Sequence, residues 1–164
     1  RKQGLGTFVN RDALKIQTRL DESIEFSKLV QLSGHLSDLS LVKSQYGPTS
    51  PDIAEHLGMD PEADALTIRK VFTADGVPVI YCLNVIPLHL APADQPRGLL
   101  DQIDPAVPVY DLLSKWFGHS VAYQIADIAP YLADDEVSHH LACPVGEPLL
   151  FIGEVGYNHE QQPL

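Results

Sequence analysis

The stretch Ala65–Ile86 contains the feature that most restricts the fold of this chain. Two runs of alternating residues flank Ala74-Asp75-Gly76, and Asp-Gly between such runs is a strong short-range signal for a β-hairpin. The spacing predicts strands over 65–73 and 77–86. A chain with this hairpin at its centre is expected to build an antiparallel sheet.

The rest of the pattern predicts short helices between strands that form hairpins. Helices are expected over 21–34, 51–58, 105–117 and 134–143. Further strands are expected over 36–46, 120–128 and 148–156. Asp21 is the expected N-cap of the first helix, and the segment 88–108, rich in proline and aspartate, predicts a long surface loop. This order indicates an α+β fold, with an antiparallel sheet flanked by helices.

The charge balance limits what the chain can bind by itself. It has 11 Lys+Arg against 22 Asp+Glu, a net charge of -11, whereas nucleic-acid binding requires a basic surface. Any contact with DNA is therefore expected from another segment. No apolar run approaches the ~20 residues of a membrane span, and the first ten residues lack the apolar core of a signal peptide. The sequence thus predicts a cytoplasmic protein in which Cys82 and Cys143 are reduced thiols.

Signatures of catalysis and of cofactor binding are missing from the sequence. It has no P-loop, no dinucleotide glycine fingerprint, no nucleophile elbow and no CxxC. His139 and His140 are adjacent, so on a helix their side chains point about 100° apart and cannot face one ion. The acidic run 134–136 is typical of a solvated helix cap. We therefore expect no enzyme activity, no cofactor and no metal.

The central hairpin carries the most functional information. Alternation places these residues on one face of the two strands: Leu66, Ile68, Lys70 and Phe72, and Ile80, Cys82, Asn84 and Ile86. A face that combines a cation, an aromatic ring and small polar groups is typical of a small-molecule pocket. In the alternative interpretation, which the pattern alone favours, Lys70 is an exposed strand residue and Cys82 a small core side chain.

Several strings of this sequence are similar to one known family: "GLGTFV", "SIEFSKLVQLSG", "TSPDIAEHLGMDPEADALTIRKVFTADGVPVIYCLNVIP", "VYDLLSKWFG" and "PLLFIGEVGYNHEQQPL". The first resembles the end of the wing hairpin in winged helix-turn-helix regulators of the GntR family. The others resemble the effector domain of its HutC-type members, called UTRA and similar in fold to chorismate lyase. The resemblance implies a chorismate-lyase-like UTRA fold in a transcription regulator, a repressor that is released by a small-molecule effector.

The same resemblance implies a division of the chain. Residues 1–10 correspond to the remnant of the wing, with Arg1 and Lys2 nearest to DNA, and 11–20 form a linker. The UTRA effector-binding domain then spans 21–164, with its final strand missing. Operator DNA is expected to bind through the absent N-terminal winged helix-turn-helix, and two copies are expected to form a homodimer through their sheet edges.

The chain departs from the pattern of the family's sugar-phosphate binders, which carry Arg-x-Arg on the strand before "ADG". Lys70 falls at the first arginine and Phe72 at the second, whereas Arg69 is expected to point to the opposite face. One cation and one ring cannot form a two-fork phosphate clasp. The resemblance therefore does not imply a sugar phosphate for this chain.

Other functional positions of the family fall on residues of different chemistry. Its carboxylate falls on Cys82, its helical hydroxyl on Glu25 and its arginine on Glu154, while its tyrosine is retained as Tyr157. Carboxylates in place of cations favour a neutral or cationic ligand, because a buried anion beside unpaired carboxylates is costly. The predicted ligand-binding set is Lys70, Phe72, Cys82, Asn84, Tyr157, Glu25 and Glu154.

Two other functions remain open at this point. A chorismate-lyase-like enzyme acting on a small aromatic acid would need cations, and Lys70 is the one cation on the predicted pocket face. A dimerisation module without a ligand would need the space beside Phe72 and Asn84 to be filled by side chains.

Overall fold

The computed structural model describes residues 25–92 and 103–164 of this chain. Its strands are β1 Ser37–Gly47, β2 Ala65–Ala74, β3 Val77–Pro87, β4 Tyr123–Leu132 and β5 Pro148–Tyr157. Its α-helices are α1 Phe26–Leu32, α2 Pro51–His56, α3 Val109–Leu112 and α4 Asp135–Leu141. A 3₁₀ turn covers Leu88–Leu90, and a π-helical turn, Leu113–Phe117, continues α3. This order of elements confirms the predicted α+β fold.

The described strands form two antiparallel sheets. The first has the order β1-β2-β3, and the second is a two-stranded ribbon of β4 and β5. The predicted hairpin is confirmed as β2 and β3, joined by a turn in which Asp75 has φ 52° and Gly76 has φ 82°. Positive φ at both central residues matches the twist of the flanking strands, and Gly76 adopts it without steric cost.

Several predicted boundaries were wrong for local reasons. α1 begins at Phe26 because Glu25 serves as its N-cap, while Asp21 lies outside the described residues. α3 begins at Val109 instead of residue 105 because Pro108 has an extended ψ of 141°. Part of the segment 88–108 is not surface loop, because Leu90 and Ile103 bury their apolar side chains in the core.

One core cluster packs the first sheet against α3 and the π-helical turn. Its members are Leu66, Ile68, Ile86, Leu90, Ile103, Leu112, Leu113, Phe117 and Leu164. A second cluster, formed by α2 and the start of β2, receives Val155 from the ribbon. β2 is therefore the most deeply buried strand, and its Leu66 and Ile68 share a face with Lys70 and Phe72.

α4 packs on the opposite face of the hairpin. Glu136 of α4 accepts hydrogen bonds from Arg69 Nε at 3.1 Å and from the Tyr81 hydroxyl. The ring of His140 stacks on Tyr81 with centroids 5.0 Å apart. Arg69 thus lies on the face opposite Lys70, as predicted, and α4 joins the ribbon to the first sheet. Among the described residues, no helix has the length and apolar character needed to span a membrane.

Candidate functional site

Lys70 lies buried at the centre of the candidate site. It occupies the middle of β2, exposes only 3% of its surface and donates a 2.8 Å hydrogen bond from Nζ to the main-chain carbonyl of Val107. Burial lowers the pKa of Lys70, while the nearby Cys82, Glu25 and Asp104 oppose that shift. The interpretation of Lys70 as an exposed strand residue is therefore wrong, because the segment before α3 covers it.

Phe72 forms an apolar wall two residues further along β2. It is 3% exposed, and its ring meets the ring of Phe26 edge-on at 5.5 Å and 69°. Edge-to-face contact is a preferred arrangement of two aromatic rings. This contact anchors α1 over the Phe72 end of the sheet, so the site is bounded by β2 below and by α1 above.

Cys82 and Asn84 supply the small polar groups on β3. Cys82 is directly opposite Lys70 in the strand register, and Asn84 is opposite Ile68. The Cys82 Sγ lies 3.7 Å from the Asn84 Oδ1. Burial raises the pKa of Cys82 to about 11, so this thiol is neutral at physiological pH. The two side chains add hydrogen-bonding groups without adding charge.

Glu25 lies at the N-terminus of α1, next to the same sheet face. Its carboxylate accepts from the Ser27 backbone N–H at 3.1 Å and from the Ser27 hydroxyl at 3.3 Å. The negative charge of Glu25 favours the charged form of Lys70 and so opposes the lowering of its pKa. The same charge contributes to raising the pKa of Cys82. The structure therefore brings Glu25 near Lys70 and Cys82.

The two predicted residues of β5 lie on opposite faces of the ribbon. Glu154 is opposite Ala126, and its charge contributes to raising the pKa of Cys82. Tyr157, three residues further on, stacks on Tyr123 with centroids 5.1 Å apart and nearly parallel planes. Glu154 thus lies near Cys82 of the site, whereas Tyr157 contacts Tyr123 on the neighbouring strand β4.

Two groups near Lys70 were missed by the sequence reasoning, and so was one buried hydroxyl on β1. The Val107 carbonyl is a main-chain atom 37 residues from Lys70, and no local pattern reveals such a partner. Asp104 belongs to the segment predicted as loop, yet its charge acts on Lys70. The Ser37 hydroxyl, on β1, is buried without a hydrogen-bond partner among the residues that the structure describes.

Within the described ranges 25–92 and 103–164, no three His, Cys, Asp or Glu side chains gather to hold a metal ion. The ring centroids of His139 and His140 lie 5.1 Å apart in an edge-on arrangement, and the ring of His140 also stacks on Tyr81. Around Lys70 the structure instead places the polar side chains of Cys82 and Asn84 on the neighbouring strand and the apolar ring of Phe72 two residues away.

The sequence matches the model of one protein family. The family model of the UTRA domain matches residues 33–164. The chain belongs to the UTRA domain family. Over 164 residues it is 25% identical to YurK of Bacillus subtilis, an uncharacterized HTH-type transcriptional regulator. That match covers 100% of this UTRA chain and 65% of YurK, so the chain spans slightly less than two thirds of its relative.

Solved structures share the fold of this UTRA domain. PhnF from Mycobacterium smegmatis superimposes with a TM-score of 0.73 at 20% identity, over 87% of this chain and 61% of PhnF. The effector domain of PhnF gives a TM-score of 0.68 at 21% identity, over 85% and 83% of the two chains. The predicted UTRA fold is thereby confirmed.

Proposed function

We propose that this UTRA domain is the effector-sensing and dimerisation domain of a cytoplasmic, DNA-binding GntR-type regulator, a repressor that a metabolite releases. The observation that carries the proposal is the burial of Lys70, which within the described part of the chain makes one hydrogen bond, to a main-chain carbonyl. An ammonium group has three donors, and burying it costs stability. A buried cation of this kind, with donors left for a ligand, is a candidate for ligand recognition. The likeness to the HTH-type transcriptional regulator YurK and to the effector domain of PhnF supports the same role.

The charges around Lys70 favour a particular class of effector. One ammonium group stands against the carboxylates of Glu25, Asp104 and Glu154, which act on Lys70 or on its neighbour Cys82. Among the described residues, a phosphate placed here would meet more negative than positive charge, and Lys70 would be the one cation to bind it. We therefore propose a neutral or cationic polar metabolite with an apolar part that packs against Phe72.

Each side chain has a proposed role in holding this metabolite. Lys70 donates to a hydroxyl or carbonyl oxygen, and Asn84 both donates and accepts through its amide. Glu25 and Glu154 accept from hydroxyl or amine groups of the ligand, and Phe72 packs against its apolar side. No step of this proposal involves catalysis, in accordance with the regulators that the chain resembles.

Regulation requires that the effector bind the two arrangements of the regulator unequally. A preference of ~1 to 3 kcal/mol for the arrangement that does not bind DNA changes operator affinity by roughly 5- to 150-fold. We propose that residues 7–20 transmit this change between the operator-binding module and the site.

The test uses the full-length regulator and a panel of neutral, cationic and anionic metabolites. Neutral or cationic compounds that raise its melting temperature are expected to change operator affinity at fixed salt. Lys70→Met is expected to abolish both effects, while the control Lys43→Met, at an exposed position of β1, retains them. Stabilising compounds that leave operator affinity unchanged would contradict the sensor role. Pyruvate release from chorismate would instead support the enzyme.

A further inference from the structure

Residues 104–107, just before α3, form a short segment that covers Lys70, and we call this segment the strap. Asp104 Oδ1 accepts from the Ala106 N–H at 2.9 Å, and the Asp104 carbonyl accepts from the Val107 N–H at 3.2 Å. The Val107 carbonyl accepts from Lys70 Nζ at 2.8 Å. The strap therefore bonds two of its N–H groups internally and uses one carbonyl oxygen to contact β2.

From this contact we infer that the strap is an internal ligand of Lys70, which the effector displaces. In the absence of an effector, the Val107 carbonyl occupies the place of a neutral amide or ketone oxygen of that compound. The inference deepens the proposed function and rests on it for the sensor role. It specifies the chemical class of the effector, a neutral carbonyl compound, and it identifies the strap as the element that the effector moves.

The burial of Lys70 is the reason for inferring displacement. Its ammonium group has three donors, yet the residue is only 3% exposed. An effector that arrives from solvent can therefore reach Lys70 only after the strap has moved. The carbonyl oxygen of Val107 is then exchanged for the oxygen of the effector, so the buried ammonium keeps an acceptor throughout the bound state.

The strap can leave β2 without losing its own hydrogen bonds. The N–H groups of Ala106 and Val107 are bonded to Asp104 within the strap. Pro105, inside the strap, and Pro108, directly after it, have no N–H group to satisfy. The bond that has to be broken is the one from Lys70, and the effector replaces it.

The surroundings of Val107 indicate what else the effector carries. The side chain of Val107 is half-buried and packs against the first core cluster. An effector with a small apolar group beside its carbonyl oxygen restores the apolar contact that Val107 gives up. The carboxylates of Glu25 and Asp104 act on Lys70, so a neutral amide is favoured over an anionic carboxylate.

The strap also connects the site to the core. Ile103 precedes it and Leu112 follows it, and both are buried in the first core cluster. The Leu112 N–H donates to the Pro108 carbonyl at 3.0 Å, so the first turn of α3 begins where the strap ends. Displacement of the strap therefore acts on the start of α3 and gives the effector a short physical route into the packed part of the domain.

Hydrogen exchange of the 164-residue chain tests whether Lys70 holds the strap. Lys70→Met is expected to raise the exchange rates of the Val107 and Leu112 amides at least about 10-fold, because a hydrogen bond from a charged group is lost. Lys43→Met, at an exposed position of β1, is expected to leave both rates unchanged. Amides of the ribbon serve as an internal reference. Equal rates in Lys70→Met and the unsubstituted chain would overturn the inference.

A second experiment tests the displacement with N-acetylvaline N-methylamide, a neutral compound with the chemistry of the chain at Val107. Its binding is followed by the nuclear magnetic resonance shifts of the strap amides. Asp104→Ala removes the side-chain acceptor of the strap and is expected to bind the amide about 2- to 10-fold more tightly, because the strap then competes less well. Asp104→Asn keeps an acceptor oxygen, so its gain is expected to be smaller. Lys70→Met is expected to lose binding.

Opposite effects of the two substitutions are the result that the inference requires. Binding by Lys70→Met at the affinity of the unsubstituted chain would overturn it, and so would failure of Asp104→Ala to bind the amide more tightly. Tighter binding of the anion N-acetylvaline than of the neutral amide would overturn the carbonyl class of effector. A metabolite that changes operator affinity of the full-length regulator while the strap amides keep their exchange rates would overturn the displacement and leave the sensor role intact.

Discussion

The first sheet and the ribbon are both antiparallel and rich in apolar residues, yet they are buried to very different degrees. In β2, seven of ten residues are buried, whereas seven of the ten residues of β4 are exposed and none is buried. Packing partners account for the difference, because α3 and α4 cover the two faces of the hairpin. Apolar alternation therefore indicates a strand without revealing how many of its faces are covered.

The largest expected effect on stability comes from replacing one isoleucine by alanine in each of the two regions. Ile68→Ala, at a fully buried position of β2, is expected to lower the free energy of unfolding by about 3 kcal/mol, because it leaves a cavity. Ile128→Ala in β4, measured on dilute monomer, is expected to cost less than about 0.5 kcal/mol. Urea denaturation of both variants measures the contrast. Equal losses would mean that the ribbon is as well packed as the sheet.

A smaller effect is expected at the one charged residue buried in the first sheet. Lys70→Met is expected to leave the free energy of unfolding unchanged or to raise it by about 1 kcal/mol, because a desolvated charge is removed. Burial lowers the folded-state pKa of Lys70 below 10.5, so the cost of its buried charge is fully present at pH values below that folded pKa. That cost is relieved as the pH rises from the folded pKa toward 10.5.

Thermal unfolding between pH 7 and pH 10 checks this prediction. The gap between Lys70→Met and the unsubstituted chain is expected to narrow as the pH rises, while Lys43→Met shows no such trend. A large loss of stability in Lys70→Met would mean that Lys70 is chiefly structural, and it would weaken the proposed role in ligand binding.

Weakening the contacts by which α4 joins the ribbon to the first sheet is expected to have a still smaller effect on stability. Glu136→Gln weakens the contacts of α4 with Tyr81 and Arg69, and we expect a loss of about 0.5 kcal/mol at neutral pH, as for exposed ion pairs. The hydrogen bond from Tyr81, with help from Arg69, lowers the pKa of Glu136 below 4.5. Its contribution is therefore present above pH 4.5 and is lost as the pH falls through the folded pKa.

Unfolding at pH 7 and at pH 3 tests this link. The difference between Glu136→Gln and the unsubstituted chain is expected to shrink at the lower pH. The conservative control Asp135→Asn changes a neighbouring exposed acid of α4. A pH-independent difference would show that the charge of Glu136 does not join the two regions.

The smallest effect is expected at the turn of the hairpin. Asp75 accepts from His35 at 2.7 Å and from the Leu36 backbone N–H at 2.9 Å, and the hydrogen bond from His35 lowers the pKa of this carboxyl. His35→Ala is expected to return the pKa of Asp75 toward 3.8 with little change in melting temperature. Carboxyl titration by nuclear magnetic resonance measures the shift, and an unmoved pKa would exclude His35 as its cause.

The elements themselves were largely accessible to sequence reasoning. Asp75-Gly76 determined the hairpin, and Ser50-Pro51 determined the start of α2, whose N-cap bond runs from the Ile53 N–H to the Ser50 hydroxyl. Such features depend on neighbouring residues, which the sequence displays directly. The boundary of α3 was wrong because the backbone of Pro108 is extended, so the helix begins only at Val109.

The site was less predictable because its contacts are long-range. Alternation correctly placed Lys70, Cys82 and Asn84 on one face, but it could not predict that Lys70 is buried. That burial depends on Val107, a residue without chemical distinction whose carbonyl arrives from across the fold. The exposure of the ribbon was equally unpredictable, since a strand with one covered face and a strand with none have similar sequences.

The hydrogen bond from Lys70 to Val107 has a consequence for the evolution of this domain. Its acceptor belongs to the main chain, which every amino acid supplies, so substitutions at position 107 do not delete it. The side chain at position 107 can therefore vary while the carbonyl oxygen that accepts from Lys70 stays in place.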